Sequence, residues 1–417
     1  MDVIKSKDVI NILKRALNLI DKRLINHGER VSYIIYKMME YENIYPQKEM
    51  LHYTISALFH DIGAFKTDEI DNMIKFETRN IWEHSIYGYL FFKYLTPLND
   101  FAETILFHHI DYNKLTKFNS KHEVISSYLN LADRIDVKKM SSKDIVPEVF
   151  YRLRDVQYSG HALDLFQNAQ LKYHILEKLE DSSYEEELNQ FLEKAVFTSI
   201  EKEQFLEMLI YSIDFRSEST VRHTITTISI ADQLGQFMEL NDKDAYNLHY
   251  GALLHDIGKI STPLNILEAP RALTTEEMIT MKNHVAVSEL ILKGYIDEEI
   301  VQIAVRHHEK LDGSGYHKGL KASDLTLPQR ILAVADIISA LRGVRSYKTS
   351  FHKEKILSIL SKEAEKGKIS AEVVDCVIEF YDTLMENVEK DCREPLEKYS
   401  AMNEKYENLH NQFLELI

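Results

Sequence analysis

The chain carries one order of metal-ligand residue types twice: a His, a His-Asp pair, a second His, a His-His pair and an Asp. The first series is His27, His60, Asp61, His84, His108, His109 and Asp133, and the second is His223, His255, Asp256, His284, His307, His308 and Asp336. The first His and the His-Asp pair are 33 residues apart in one half and 32 in the other. The middle His and the His-His pair are 24 and 23 residues apart. This agreement predicts a tandem duplication of one domain.

Length and composition fit two helical domains. A chain of 417 residues is long enough for two domains of about 200 residues each, and 45% apolar residues can fill two cores. Only 13 Gly and 7 Pro, with apolar residues at helical spacing and no sustained alternation, predict an all-α fold. We place the domains at 1–196 and 197–417. The acidic segment 177–195 is expected to be a solvated connecting helix between them.

Charge and cysteine content exclude several classes of protein. Two cysteines cannot form a disulfide framework, which favours a reducing cytosol. No apolar run reaches membrane-spanning length, and the first residues lack a signal-peptide core. A net charge of −16 disfavours a nucleic-acid polymer as partner, although a small nucleotide stays compatible because bound cations invert the local field. We therefore expect a cytoplasmic protein that binds neither a membrane nor a nucleic-acid polymer.

The chemistry of the second series points to a metal site that acts on phosphate. Imidazole and carboxylate groups suit divalent iron, manganese or zinc. Lys259 follows His255 by four residues and Asp256 by three, so on a helix it would share their face. A lysine in that position can contact a phosphate oxygen. The residues alone therefore predict a metal-dependent phosphohydrolase.

Residues 205–370 resemble the HD-GYP subfamily of the HD phosphohydrolase superfamily. The motifs that carry the resemblance are HDIGK (255–259), HHEKLDGSGY (307–316), LTLPQRILAVAD (325–336) and RSYK (345–348). The chain departs from the family at His317, where the signature residue is Pro. The resemblance implies two divalent metal ions, iron or manganese, with zinc as an alternative, bridged by Asp256. One ion would be completed by His223, His255 and Asp336, and the other by His284, His307 and His308.

The resemblance also implies an activity. Asp256 and Lys259 would be the catalytic residues, and the substrate contacts would be Lys259, Asp312, Gly313, Tyr316, Arg345 and Lys348. The implied reaction is hydrolysis of a cyclic dinucleotide, most often cyclic di-GMP, to pGpG and GMP. Two alternatives stay open. One is a phosphodiesterase for cyclic GMP-AMP or another nucleotide phosphohydrolase, and the other is a non-catalytic module that senses a nucleotide.

The first half resembles a generic HD domain without the GYP loop. HDIGA replaces HDIGK, so Ala64 stands where Lys259 stands in the second half, and HHIDYNK replaces HHEKLDGSGY. The seven ligand residues of this half are present. We therefore expect the first domain to bind metal and to stabilise or regulate the second without hydrolysing the substrate.

The C-terminal tail carries a heptad seam. Its apolar residues are separated by alternating steps of three and four, and they are Tyr399, Met402, Tyr406, Leu409, Phe413 and Leu416. Such spacing is typical of a helix that buries one stripe. The stripe could pack on its own domain or form a homodimer through the C-terminal helix, and the sequence leaves both open.

Overall fold

The computed structural model describes residues 4–19, 26–66, 82–141, 147–214, 218–267, 269–343 and 351–415. The regular elements in these ranges are helices, which confirms the predicted all-α fold. None of these helices combines the length and the apolar content needed to cross a membrane.

The chain divides into two compact units. Lys5–Met208, together with the tail from Met402 onward, forms the first unit, and Leu209–Ala401 forms most of the second. The units therefore change over at 208 and 209 and again at 401 and 402. The domain boundary between 196 and 197 stays a prediction.

Short and medium helices dominate both units, and one long helix ends the chain. In order they are α1 (Ser6–Leu17), α2 (His27–Glu42), α3 (Gln47–Leu58), α4 (Glu83–Leu95), α5 (Ala102–Leu106), α6 (Tyr112–Leu115), α7 (Glu123–Ser141), α8 (Pro147–Tyr151), α9 (Gly160–Tyr173), α10 (Ile175–Asp181), α11 (Tyr184–Leu192), α12 (Ser199–Asp214), α13 (Glu218–Phe237), α14 (Asp242–Leu254), α15 (Leu264–Leu267), α16 (Thr275–Lys282), α17 (His284–Leu292), α18 (Glu298–Val305), α19 (Leu327–Arg342), α20 (Lys353–Glu365) and α21 (Ala371–Leu414). Short 3-10 helices lie between them, including Ile62–Lys66 and Ile257–Ser261.

The core of the second unit forms where α13, α14 and α19 pack together. Each helix buries one stripe because its apolar residues recur every three or four positions. Val221, Ile225 and Leu234 supply the stripe of α13, and the start of α21 adds Val373 and Val377 to the same cluster. These helices fix the backbone from which His223, His255 and Asp336 project.

Both halves repeat one local arrangement around the His-Asp pair. A helix ends just before the pair, a 3-10 helix follows, and this 3-10 helix packs on the helix that carries the middle His, α4 in the first half and α17 in the second. A Cβ atom added to Gly63 would lie 2.1 Å from the His84 carbonyl oxygen, and one added to Gly258 would lie 1.9 Å from that of His284. Only glycine allows so close an approach. The shared arrangement agrees with a tandem duplication.

The acidic segment 177–195 is not a solvated connecting helix, so that prediction was wrong. It forms most of α10 and all of α11, and its side chains Tyr184, Leu188 and Phe191 are buried. The Phe191 ring stacks on Tyr36 with centroids 4.1 Å apart. The glutamates of the segment share a helix with a regular apolar stripe, and this stripe makes α11 part of the core of the first unit.

From Met402 onward the tail packs on other residues of the first unit, whereas Tyr399 packs against the core of the second unit. Met402 and Phe413 are each 1% exposed. The Phe413 ring contacts Trp82 and Phe118 at centroid distances of 5.9 and 6.0 Å, and Tyr406 stacks on Tyr87. Much of the heptad seam is thus covered within the chain. A homodimer through this helix stays a prediction, and Leu416 lies outside the described residues.

Replacing Phe413 by Ala should destabilise the first unit by about 3 kcal/mol, the usual cost of emptying a buried aromatic position. Trp82 is the only tryptophan of the chain, so its fluorescence reports denaturant unfolding at this contact. The matched control is Leu414→Ala, because Leu414 is 48% exposed and its loss should change the unfolding free energy by less than about 0.5 kcal/mol. Equal unfolding midpoints for the two variants would contradict the described packing.

Candidate metal centres

The second series converges from five helices. His223 lies on α13, the His255-Asp256 pair follows α14, His284 opens α17, the His307-His308 pair follows α18, and Asp336 lies on α19. The ligand atoms form two groups, and within each group they lie within 4.8 Å of one another. The groups are His223, His255 and Asp256, and His284, His307 and His308. The fold therefore brings together six of the seven residues that the sequence selected, and the seventh, Asp336, lies beside them.

Asp256 lies between the two groups. Its Oδ2 atom is 3.1 Å from His255 Nε2 and 3.9 Å from His223 Nε2. Its Oδ1 atom is 3.4 Å from His284 Nε2 and 3.9 Å from His307 Nε2. Each oxygen thus faces a different pair of imidazoles, which is the geometry that a bridging carboxylate requires.

Asp336 closes the other side of the site. Its Oδ1 atom is 3.2 Å from His223 Nε2, and its Oδ2 atom is 3.6 Å from His308 Nδ1. The contact with His223 agrees with the expectation that these two residues serve the same ion, although the ligand assignment stays a prediction.

Backbone hydrogen bonds orient three of the imidazoles. The Nδ1 atoms of His255, His284 and His307 lie 2.7, 2.7 and 2.6 Å from the carbonyl oxygens three residues earlier. An Nδ1–H that donates to a carbonyl leaves Nε2 free to coordinate. His223 Nδ1 instead contacts Ser339 Oγ at 2.9 Å. Ser339 was not identified from the sequence, because the motif carries no signal for this partner.

The electrostatics of the second site keep His307 and His308 neutral and Asp256 charged. Burial lowers the pKa of His307 well below its ordinary value and lowers that of His308 to about 4. Burial alone would raise the pKa of Asp256, but the nearby His255 and Lys259 hold it well below its usual range. Near pH 7 His307 and His308 are neutral imidazoles and Asp256 is an ionised carboxylate, the forms that bind divalent metal. Burial would lower the pKa of His255, but Asp256 outweighs burial and raises it to about 8.

Buried atoms without hydrogen-bond partners test whether the site fits a cation. His255 Nε2 and Asp256 Oδ1 are both buried and have no partner. Each such atom costs about 1–3 kcal/mol if nothing satisfies it. Both atoms point toward the groups described above, so the donor set fits divalent metal ions.

Lys259 and Tyr316 lie at the edge of the second site. The Lys259 ammonium donates a hydrogen bond to Asp256 Oδ2, and its side chain is 18% exposed. The Tyr316 ring lies 4.7 Å from that of His308. The ammonium of Lys282, a residue that the sequence did not single out, lies 4.7 Å from the Tyr316 centroid. These groups give the site an edge with positive and aromatic character.

The loop after His308 is held by Glu309. The buried Glu309 carboxylate accepts hydrogen bonds from the backbone N–H groups of Lys318 and Leu320 at 2.7 and 2.9 Å. Asp312 accepts from Ser314 at 2.9 Å, and Gly313 has a left-handed backbone with φ of +81°. The contacts described for Asp312 and Gly313 therefore lie within the loop.

The substrate-binding roles of Asp312, Gly313 and Tyr316 stay predictions. The two cations expected to hold the substrate phosphates, Arg345 and Lys348, lie outside the described residues.

The first series forms a similar pair of groups. They are Asp61, His84, His108 and His109, and His27, His60 and Asp133. Asp61 lies between them, with Oδ2 3.5 Å from His27 Nε2 and Oδ1 3.5 Å from His84 Nε2. Both Asp61 oxygens and the Nε2 atoms of His27 and His60 lack hydrogen-bond partners. This donor set also fits a divalent cation.

The Nδ1 atom of His27 in the first site contacts a charged group, whereas that of His223 in the second site contacts a neutral one. His27 Nδ1 lies 2.8 Å from Asp136 Oδ2, and Arg30 also donates to Asp136. The positions of Asp133 and Asp336 correspond, so Asp136 corresponds to Ser339. A carboxylate on the outer nitrogen of a histidine ligand raises its basicity, and this favours His27 as a ligand.

Arg134 has the opposite effect on His109. Its guanidinium lies 2.6 Å from His109 Nδ1, and a guanidinium can only donate. Nδ1 must then accept, which leaves the ring proton on Nε2, the atom that lies 2.9 Å from His84 Nε2. His109 therefore fits a metal ligand less well than the other residues of its group.

Residues 24–140 and 206–373 each match the family described as HD domain. The chain is 27% identical over 388 residues to 3'3'-cGAMP-specific phosphodiesterase 1 of Vibrio cholerae, and this covers 88% of this chain and 89% of that protein. It is 34% identical over 167 residues to the cyclic di-GMP phosphodiesterase response regulator RpfG of Xanthomonas campestris, covering 39% of this chain and 44% of that protein.

A crystal structure described as a cyclic GMP-AMP specific phosphodiesterase of Vibrio cholerae shares the fold. The TM-score is 0.58 at 18% sequence identity, and the likeness covers 91% of this chain and 98% of that chain. The likeness therefore extends over both halves.

Asp256→Asn should lower the bound metal of the second half alone, because a neutral amide bridges two cations poorly, and Asp61→Asn should lower that of the first half alone. Metal per chain, measured by plasma mass spectrometry, checks both. Asp232→Asn is the matched control, since Asp232 is a half-exposed partner of His249. A full metal complement in Asp256→Asn would rule out the bridging assignment.

Proposed function

The chain is a tandem HD-domain protein of the HD-GYP type, and we propose that its second domain is a metal-dependent phosphodiesterase that opens a cyclic dinucleotide. The observation that carries the proposal is the position of Asp256. Its two oxygens face separate histidine pairs, and the Lys259 ammonium bonds to one of them. This combination meets the two needs of phosphodiester hydrolysis, a place for two cations and a fixed positive charge beside them.

The ligands would divide between two ions bridged by Asp256. His223, His255 and Asp336 would hold one, and His284, His307 and His308 the other. When bound, two divalent ions would supply a water that ionises near neutral pH and would neutralise charge on the phosphoryl oxygens. We propose iron or manganese, with zinc as the alternative, because all three accept a His and Asp donor set.

Hydrolysis of the phosphodiester develops negative charge on the phosphoryl and leaving oxygens, and the Lys259 ammonium can stabilise this charge. The oxygen of a water bonds to phosphorus, the bond from phosphorus to the 3′ oxygen breaks, and the leaving oxygen takes a proton. Burial would lower the pKa of Lys259, but Asp256 outweighs burial and raises it. The residue therefore stays an ammonium near neutral pH and can donate to a phosphoryl or leaving oxygen. Arg345 and Lys348 would hold the substrate phosphates.

The first candidate substrate is 3′,3′-cyclic GMP-AMP. The relative named for this substrate aligns over nearly the whole of both chains, whereas RpfG, named for cyclic di-GMP, aligns over 39% of this chain. Cyclic di-GMP, the substrate expected from the sequence, is the second candidate. Both are opened by the same hydrolytic step.

The first domain would bind metal without hydrolysing the cyclic dinucleotide. Its groups around Asp61 fit a cation, but Ala64 leaves no ammonium at the position of Lys259. A Lewis-acid site alone does not orient the phosphate or meet its charge. The first domain is therefore proposed to stabilise or regulate the second.

A substrate panel tests the proposal directly. Full-length protein of known metal content is incubated with 3′,3′-cyclic GMP-AMP, cyclic di-GMP, cyclic di-AMP and GMP, and the products are separated by chromatography. The expected result is fastest conversion of cyclic GMP-AMP to a linear dinucleotide. Metal-loaded protein that binds these compounds but converts none of them would support the non-catalytic sensing module instead.

Lys259→Ala should keep its metal and slow turnover by roughly 10²-fold or more, as expected when one transition-state charge contact is lost. Steady-state kinetics and metal analysis on the same preparation check both parts. The matched control is Lys243→Ala, which removes an exposed lysine paired with Glu299 and should leave turnover unchanged. Wild-type kinetics in Lys259→Ala would refute the role given to this residue.

A further inference from the structure

Asp214 is a buried carboxylate of the second unit that does not belong to the ligand series. It is the last residue of α12, is 2% exposed, and accepts a hydrogen bond from Thr224 Oγ1. Thr224 follows His223 directly in the chain and is also buried. The hydroxyl satisfies one lone pair of the carboxylate but does not neutralise its charge. A buried carboxylate is costly unless a positive group lies near it, so Asp214 requires a cation.

Lys259 is a cation that acts on Asp214. Burial raises the pKa of Asp214 to about 7, while the hydrogen bond from Thr224 and the charge of Lys259 oppose this rise. The effect is mutual. Burial would lower the pKa of Lys259, whereas the charges of Asp256 and Asp214 raise it. Lys259 therefore interacts with one carboxylate inside the metal-ligand groups and with another outside them.

The repeat supplies independent evidence that these two positions are neighbours. Asn18 corresponds to Asp214, because each stands nine residues before the first His of its series. Ala64 corresponds to Lys259, because each stands three residues after the Asp of the His-Asp pair. Asn18 and Ala64 line the same cavity of about 50 Å³ in the first unit. The arrangement that the halves share thus brings the corresponding side chains of the second half together.

The first half lacks both members of this pair. Asn18 is neutral, and its side chain makes two hydrogen bonds with Asn26, at 2.9 and 2.8 Å. Ala64 is buried and carries no charge. The lysine and its outer carboxylate are therefore present together in one half and missing together in the other. A carboxylate that served only to pack α12 would have no reason to accompany the lysine, so the pairing favours a shared role.

We infer that Asp214 is a positioning residue that holds the Lys259 ammonium at the second site, which rests on the role proposed for Lys259. The hydrogen bond from Lys259 to Asp256 does not suffice, because cations held at Asp256 would compete for its oxygens and repel an ammonium. Asp214 stands outside the metal-ligand groups, so its oxygens stay available. It keeps the ammonium beside the site when the ligands are occupied, and Thr224 fixes the carboxylate in turn.

Asp214→Asn isolates the charge, because an amide oxygen still accepts a hydrogen bond from Thr224. The assay uses the cyclic dinucleotide that the wild-type protein converts fastest, at pH 8, above the pKa of about 7. We expect kcat to fall roughly 10-fold or more, since a misplacement of about 1 Å can cost about 10²-fold. KM should stay unchanged, because Lys259 acts on charge that develops in the transition state.

A double-mutant cycle separates positioning from a general structural defect. If Asp214 acts through Lys259, then adding Asp214→Asn to Lys259→Ala should change kcat by less than about twofold. The matched control is Ser212→Ala, which removes a buried hydroxyl of the same helix that donates to the Leu209 carbonyl. It should keep wild-type turnover. Thr224→Val, which removes the hydrogen bond to Asp214, replaces Asp214→Asn in the cycle if the latter does not fold.

Crystal structures of metal-loaded wild-type protein and of Asp214→Asn give a readout that needs no turnover. The Lys259 ammonium should hold one position in the wild type and lose it in the variant, while metal content stays the same. An ammonium in the same place in both, or an undiminished loss of kcat when residue 259 is already Ala, would overturn the positioning role. Wild-type protein that converts no cyclic dinucleotide would count against the proposed function, and the ammonium position would still decide this inference.

Discussion

A carboxylate buried among histidines is costly unless a cation compensates it, and each half of this chain is organised around one such group. Asp256 is 6% exposed and Asp61 lies equally central in its own half. Burying an unpaired charge costs several kcal/mol. Lys259 supplies part of the compensating charge at Asp256, and the helix ends that deliver the histidines leave room for a further cation.

The clustering of these residues was predictable from the sequence because the same residue types recur in the same order at similar spacing. The repeat, with His27 and His223 at corresponding positions, also predicted two domains. The helical period of the apolar residues around these positions predicted the all-α fold. The motif does not encode which residue contacts the Nδ1 atom of each histidine. Asp136 and Ser339 occupy corresponding positions and differ in charge, and only the packed structure reveals which atom of His27 or His223 each one meets.

The incorrect prediction for the acidic segment and the open question about the tail both have physical causes. The segment 177–195 is acidic, and its glutamates concealed the stripe formed by Tyr184, Leu188 and Phe191, which is buried. The heptad seam of the tail indicates that a helix buries one face, but heptad spacing carries no information about the partner.

The contact between the tail and Trp82 has a consequence for synthesis on the ribosome. Phe413 packs against Phe118, yet the two residues are separated by about 300 positions in the chain. At about 5–20 residues per second, translation needs roughly 15–60 s to cover that distance. During this interval the nascent first domain exposes an aromatic surface that its own sequence will cover only later. The N-terminal half thus waits for the C-terminal helix to complete its packing, and it is a natural client for a chaperone until then.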